Sequence, residues 1–187
     1  RKACQQLKIW QGDGTNEITS HYRLAINLSP IQFQQDNLTD IVKDLMQQEG
    51  VSEHLDIEVT ESMLLHDIDK VIKTLTIFKE MQVGIALDDF GTGFSSLSNL
   101  KRLPIQYLKV DRSFIKDINK NKDDKAIVSA IISMGHHLGL KIIAEGIEDD
   151  QQLAVMQQLN CDEAQGYLYS PPLPADKFMI FVKQYSA

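Results

Sequence analysis

Two adjacent carboxylates, Asp88 and Asp89, stand at the end of an apolar run that begins at Val83. Neighbouring acids repel each other and are poor strand formers, so an acid pair at the end of a buried strand needs a compensating positive charge. A bound cation is the simplest compensation. Gly91 and Gly93 follow, and their backbone freedom would let a loop approach a ligand closely. The alternative is that one of the two acids only caps a following helix, which Asp often does.

Further polar side chains stand at or near the ends of the other apolar segments. They are Asn27, Glu58, Glu61, Lys109, Asp111, Glu145, Glu148 and Gln165. Carboxylates and an amide oxygen are hard ligands that suit Mg²⁺ or Mn²⁺. Two such ions about 3.5 to 4 Å apart form the usual clamp for phosphodiester hydrolysis. The pattern therefore predicts a two-metal site to which the acid pair contributes.

Lys109 has three interpretations. Its amine could form a Schiff base with a carbonyl substrate. Among so many acids, however, the amine is expected to stay protonated, which suits neutralising a phosphate or orienting a water molecule, and we favour this role. The third interpretation is a simple ion pair with Asp111 at a solvated edge.

The elements that must position these residues alternate between strand and helix. Strands are predicted at 22–28, 55–60, 83–87, 105–110, 141–144 and 163–166, and helices at 1–11, 38–49, 67–81, 95–102, 124–138, 151–159 and 174–185. The run at 12–17 is predicted to be a turn, and 119–124 a polar surface loop. Alternation without hairpin signals implies a parallel sheet with right-handed crossovers.

A doubly wound sheet and a closed barrel both fit that alternation. Every predicted strand ends in polar residues, which a barrel gathers at its C-terminal mouth, whereas a doubly wound sheet concentrates its site at one switch point. The barrel is therefore favoured. An eightfold barrel typically needs about 250 residues, so the 187 residues given are expected to be one barrel domain, residues 1–187, that lacks its first strand and the adjoining segment.

Bulk properties exclude several classes of protein. The formal net charge of −7 argues against binding to DNA, which normally requires a basic surface. Cys4 and Cys161 form no metal-binding or disulfide pattern, which fits a reducing cytoplasm. No apolar run approaches the roughly 20 residues of a membrane span, so none is expected in this chain.

Six segments, in order, carry a resemblance to a known family: NLSPIQF, DIEVTES, LDDFGTGFSSL, KVDRSFI, AEGIE and QGY. Together they resemble the EAL-domain phosphodiesterases of bacterial second-messenger and biofilm signalling. The resemblance implies a modified (β/α)₈ barrel of the TIM type. It also implies hydrolysis of cyclic di-GMP (c-di-GMP) to linear pGpG, with two Mg²⁺ or Mn²⁺ ions as cofactors.

The same resemblance assigns roles to matched positions. It implies that Asn27, Glu58, Asp88 and Asp89 are metal ligands, with Asp88 as the bridge. Gln165 matches a glutamine that lies near the metals.

The remaining matched positions concern the reaction and the substrate. Lys109 resembles the lysine that contacts the reacting centre and its water, and Glu145 matches a general base or holder of the metal–water network. Glu61 resembles the residue that holds the loop after the acid pair, a loop tied in this family to metal binding and dimerisation. Asp111 and Glu148 are expected to contact the substrate or to support the ligands.

One departure from the family pattern matters. The Glu-Ala-Leu signature, whose glutamate is a metal ligand, and a nearby phosphate-contacting arginine are absent from these residues. A protein that began at Arg1 would be expected to be inactive. An upstream sensory or GGDEF-type domain and a homodimer through the loop after the acid pair are further expectations. The alternatives are a catalytically inactive c-di-GMP receptor and, less favoured, a Schiff-base enzyme.

Overall fold

The structure is a computed structural model that describes residues 1–11, 22–50, 52–65, 67–93 and 97–185. The predicted turn at 12–17 lies outside the described residues. So do 95 and 96, the first two residues of the predicted helix 95–102.

The described chain alternates between strands and helices, as the sequence predicts. The strands are β1 Leu24–Asn27, β2 Leu55–Thr60, β3 Gly84–Phe90, β4 Tyr107–Val110, β5 Lys141–Glu145 and β6 Glu163–Gln165. The helices are α1 Lys2–Gln11, α2 Pro30–Phe33, α3 Leu38–Glu49, α4 Ile68–Glu80, α5 Leu97–Leu100, α6 Arg112–Ile115, α7 Lys122–His137, α8 Asp150–Gln158 and α9 Ala175–Tyr185. Short 3₁₀ turns occupy Ser52–His54 and Glu61–Leu65.

The strands form one six-stranded sheet in chain order, β1-β2-β3-β4-β5-β6. Pairing is parallel between β1 and β2 and successively from β3 to β6. Strands that are covered on both faces are apolar along most of their length, and β2, β3 and β4 fit this description, whereas β1 and β6 contain no buried residue. The fully buried strand residues include Val59, Ile85, Leu87, Leu108, Val110, Ile142 and Ala144. The predicted parallel sheet with helical crossovers is confirmed.

The chain divides into two compact units. The first contains residues 1–58, 76–84 and 172–187, and the second contains 59–75 and 85–171. In the first unit, the Trp10 indole N–H donates to the Ala175 carbonyl at 3.3 Å and the Trp10 ring centroid lies 4.8 Å from that of Phe178, so α1 packs on α9.

An ion pair between exposed Arg23 and buried Asp56 lies beside Gly84 in the first unit. Arg23 Nη2 is 2.6 Å from Asp56 Oδ1, and the Arg23 guanidinium also donates to the carbonyl oxygens of Glu53 and Leu55. A Cβ built on Gly84 would overlap Asp56 Oδ1. A larger residue at this position would therefore displace the Asp56 carboxylate, which packs directly on the Gly84 backbone.

Two predicted boundaries are wrong. The run at 119–124 was expected to be a surface loop, but α7 begins at Lys122 because the Asn121 side chain caps it by accepting from the N–H groups of Asp123 and Asp124. The predicted strand at 83–87 instead continues to Phe90, so the acid pair lies within β3 rather than after it. The short helix α6 was not predicted. Among the described residues, no helix combines the length and apolarity needed to span a membrane.

Candidate active site

The acid pair sits at an irregularity of β3. The register of β3 against β4 shifts between Leu87 and Phe90, and Asp89 adopts a left-handed backbone with φ of 56°. Asp tolerates this conformation better than most residues. Successive side chains of a regular strand point to opposite faces, and the shift breaks that alternation. As a result, carboxylate oxygens of Asp88, Asp89 and Glu145 lie within 4.8 Å of one another.

Lys109 lies between two of these carboxylates. Its side chain is 3% exposed, and Nζ is 2.6 Å from Glu145 Oε1 and 3.2 Å from Asp88 Oδ1. The three residues come from β4, β5 and β3, which are neighbours in the sheet. Two carboxylates thus engage the Lys109 amine, which disfavours the Schiff-base interpretation because a Schiff base requires an amine that is free to attack a carbonyl group.

The cluster carries more negative charge than Lys109 compensates. Burial, followed by the charges of Asp88 and Asp111, raises the pKa of Asp89, and Lys109 only partly opposes this increase. A divalent cation would remove the excess, and the oxygen-only donor set is the type that Mg²⁺ and Mn²⁺ prefer. The residues present therefore fit a divalent metal. Within the described ranges, no other group of three or more acidic, histidine or cysteine side chains is arranged to hold one.

Glu61 contacts the loop that follows the acid pair. Its buried carboxylate Oε2 accepts from the N–H groups of Gly91 at 3.2 Å and Gly93 at 3.0 Å. The Thr92 hydroxyl donates to the Asp89 carbonyl at 2.8 Å. A Cβ at Gly93 would lie 2.9 Å from the Glu61 carboxyl carbon, so a larger residue there would force the Glu61 carboxylate to shift.

Asp111 and Glu148 both contact the first turn of α6. Asp111 caps this helix, since its Oδ1 accepts from the Ser113 N–H at 2.9 Å. The Glu148 carboxylate forms an ion pair with Arg112 Nη2. Asp111 is thus engaged locally as a helix cap, and it is also one of the charges acting on Asp89.

The other predicted site residues lie in two places. In the first unit, Asn27 and Glu58 are register partners at the carboxyl ends of β1 and β2, and Glu58 is buried whereas Asn27 is exposed. In the second unit, exposed Gln165 is the register partner of Glu145. Of the predicted residues in the second unit, the structure brings Asp88, Asp89 and Glu145 together beside Lys109.

Sequence reasoning missed Arg112 and Gln152. Arg112 follows Asp111 directly, and its role emerges only from the ion pair with Glu148. Gln152 did leave a signal, because Asp149 followed three residues later by a glutamine is the pattern of a helix capping box. The structure contains that box, with Asp149 Oδ1 accepting from the Gln152 N–H at 2.8 Å.

Comparison with known proteins agrees with this geometry. The profile of the EAL domain matches residues 1–172. The bifunctional diguanylate cyclase/cyclic di-GMP phosphodiesterase MucR of Pseudomonas aeruginosa is 41% identical over 182 residues, which are 97% of this chain and 26% of MucR. The chain thus spans about a quarter of the length of the curated relatives it matches.

Solved structures show the same fold. The PaMucR phosphodiesterase in complex with c-di-GMP superimposes with a TM-score of 0.88 at 42% identity, covering 95% of this chain and 70% of that one. The manganese/cy-diGMP complex of Klebsiella pneumoniae BlrP1 does so with a TM-score of 0.78 at 29% identity, covering 91% and 43%. These likenesses confirm the predicted fold class, the TIM-type (β/α) barrel of such domains. With six parallel strands in chain order and a carboxylate cluster at their carboxyl ends, the chain belongs to the EAL domain family.

Proposed function

We propose that this chain is part of a metal-dependent phosphodiesterase that hydrolyses c-di-GMP to linear pGpG. The observation that carries the proposal is the Asp88, Asp89 and Glu145 cluster around buried Lys109. The relatives named for the same activity at about 41% identity support it. Bound Mg²⁺ or Mn²⁺ ions would stabilise charge on the phosphoryl oxygens and activate the attacking water.

The proposed metal ligands are Asn27, Glu58, Asp88 and Asp89. The short distances between the carboxylates support Asp88 and Asp89. Burial and neighbouring negative charge raise the pKa of Asp89, and a bound cation would offset both effects by favouring the ionised carboxylate. Asn27 and Glu58 are proposed on the family resemblance, together with their placement at the ends of β1 and β2. Gln165 is proposed to lie near the metals for the same reason.

Lys109 and Glu145 are proposed to act on the reaction itself. Glu145 is proposed as the general base or as the residue that holds the metal–water network, and its Oε1 lies 2.6 Å from Lys109 Nζ. Lys109 is also the positive side chain placed to offset charge that develops on the substrate. Glu148 and Asp111 are proposed to support substrate binding, and Glu61 to hold the loop after the metal ligands.

The proposed context is bacterial signalling in the cytoplasm. MucR combines the phosphodiesterase with a diguanylate cyclase, so we propose a sensory or GGDEF-type domain elsewhere in this protein. A homodimer through the loop after Asp89 is proposed on the family resemblance alone.

Turnover by the full-length protein tests the function. We expect conversion of c-di-GMP to pGpG, followed by liquid chromatography, in buffer with Mn²⁺ or Mg²⁺. Glu145→Gln should lower kcat by roughly 100-fold or more, as loss of a general base does. Glu80→Gln, an exposed carboxylate at the end of α4, is the matched control and should leave kcat unchanged. Tight c-di-GMP binding by a wild-type protein that produces no pGpG would instead identify the inactive receptor.

A further inference from the structure

Gln152 is a buried amide whose acceptor oxygen holds a loop. Only 4% of this residue is exposed, although it stands in the first turn of α8. Its Oε1 accepts from the N–H groups of Glu148 at 2.7 Å and Asp149 at 3.3 Å. Both donors belong to the segment between β5 and α8, so the side chain fixes the backbone that carries Glu148.

The donor side of the same amide reaches a different element. Gln152 Nε2 donates to the carbonyl of Lys116 at 3.1 Å, and Lys116 is the residue that ends α6. An amide can accept at one end and donate at the other, which a carboxylate cannot do. Gln152 therefore ties the segment after β5 to the end of α6.

A second contact joins the same two segments at the other end of α6. Arg112 pairs with Glu148, and their side chains are 58% and 40% exposed, so both remain accessible to a ligand. Gly146 has φ of 72°, and a Cβ there would overlap Arg112 Cγ. The aliphatic part of Arg112 thus lies against the backbone of this loop, and a displaced loop would displace the ion pair.

Glu145 is positioned by contacts other than the Gln152 hydrogen bonds. It pairs in register with Gln165 in the sheet and contacts Lys109 at 2.6 Å. Loss of the Gln152 bridge should therefore move Glu148 and Arg112 while leaving Glu145 in place.

We infer that Gln152 is a positioning residue that sets the place of the Arg112–Glu148 pair as a substrate-binding element of the site. The inference rests on the proposed function. As an element that would bind the substrate away from the reacting atoms, the pair is expected to contribute equally to binding in the ground and transition states. Removing such binding raises KM and leaves kcat unchanged.

The decisive variant is Gln152→Leu in the full-length protein, which removes all three side-chain hydrogen bonds. We expect KM for c-di-GMP to rise at least about fivefold, with kcat within about twofold of wild type, as loss of uniform binding predicts. Gln151→Leu is the matched control, because it removes an exposed amide of the same helix that accepts from Asn119 at 2.9 Å. That variant should retain the wild-type KM.

A second variant and a second measurement guard against simple misfolding. Gln152→Glu keeps both accepted hydrogen bonds and suits a capping box, but it replaces the donor to the Lys116 carbonyl with an acceptor that repels this oxygen. Its KM should therefore fall between wild type and the leucine variant. Hydrogen exchange at the Glu148 and Asp149 amides should be faster in Gln152→Leu and unchanged in Gln151→Leu.

Two results would overturn the inference. One is a KM for Gln152→Leu within twofold of the control, and the other is a kcat loss larger than the increase in KM. If the wild-type protein leaves c-di-GMP uncut, the proposed function fails by itself. Hydrogen exchange at the Glu148 and Asp149 amides then tests the positioning role of Gln152. Unchanged exchange in Gln152→Leu would refute that role.

Discussion

Replacing Lys109 with methionine should destabilise the folded protein, because it leaves the carboxylates of Asp88 and Glu145 without their positively charged partner. Methionine keeps most of the aliphatic length and removes the ammonium that contacts Asp88 and Glu145. Removing one partner of a buried ion pair costs about 3 to 5 kcal/mol, because the other charge is left uncompensated. The Asp88 and Glu145 side chains retain 12% and 18% exposure, so we expect the lower end of that range, about 3 kcal/mol at pH 7.

The assay is unfolding of the metal-free protein, followed by circular dichroism. For a domain of this size, about 3 kcal/mol corresponds to a Tm lower by roughly 6 to 12 °C. The matched control is Lys141→Met, since Lys141 is 63% exposed and lies 3.8 Å from Glu163. A surface pair of this kind contributes at most about 1 kcal/mol, so the control should unfold close to wild type.

The effect of pH gives a second signature. Lys109 lowers the pKa of Asp89 against the opposing influence of burial, so its loss should raise that pKa further. A carboxyl group with a raised pKa in the folded state destabilises the protein when it is ionised, and protonation relieves this cost. The difference in Tm between wild type and Lys109→Met should therefore shrink as the pH is lowered from 7 toward 5. A Lys109→Met protein that unfolds like Lys141→Met at pH 7 would refute the reasoning.

Three further predictions concern stability and metal binding. Gly84→Ala should lower Tm by more than 5 °C, as roughly 2 kcal/mol or more would do, because the new Cβ overlaps the Asp56 carboxylate; an unchanged Tm would contradict that packing. Burial alone would raise the pKa of Asp162, but the Ile142 N–H and His136 lower it below its usual value. Its stabilising contribution is therefore complete above the ordinary Asp pKa of about 3.9 and is lost as pH falls through the lower folded value. Asp162→Asn should accordingly lower Tm at pH 6, and the difference from wild type should shrink as the pH falls below the ordinary Asp pKa of about 3.9, whereas a constant difference would exclude this origin. Chelation should abolish turnover and lower Tm, and Mn²⁺ should restore both; turnover that persists in chelator would contradict the two-metal proposal.

Most of the fold was predictable from local patterns. The period of the apolar residues located the strands and helices to within a few residues, and Gly50, in the left-handed conformation, ends α3 where the sequence predicts. The absence of hairpin signals was sufficient to predict a parallel sheet, because parallel strands require long crossovers. Very short helices were harder to predict from the sequence. The four-residue helix α6 has too little periodicity to be recognised from its sequence.

The sequence by itself determined the family and named candidate residues for the chemistry, since acid, amide and lysine side chains recur at strand ends and in six ordered motifs. It could not determine how they are paired. The shift of register in β3, the place of Lys109 between Asp88 and Glu145, and the bridge made by Gln152 depend on which strands and loops become neighbours. Such contacts join residues that are far apart in the chain, and only the packing of the sheet and its helices brings them within hydrogen-bonding distance.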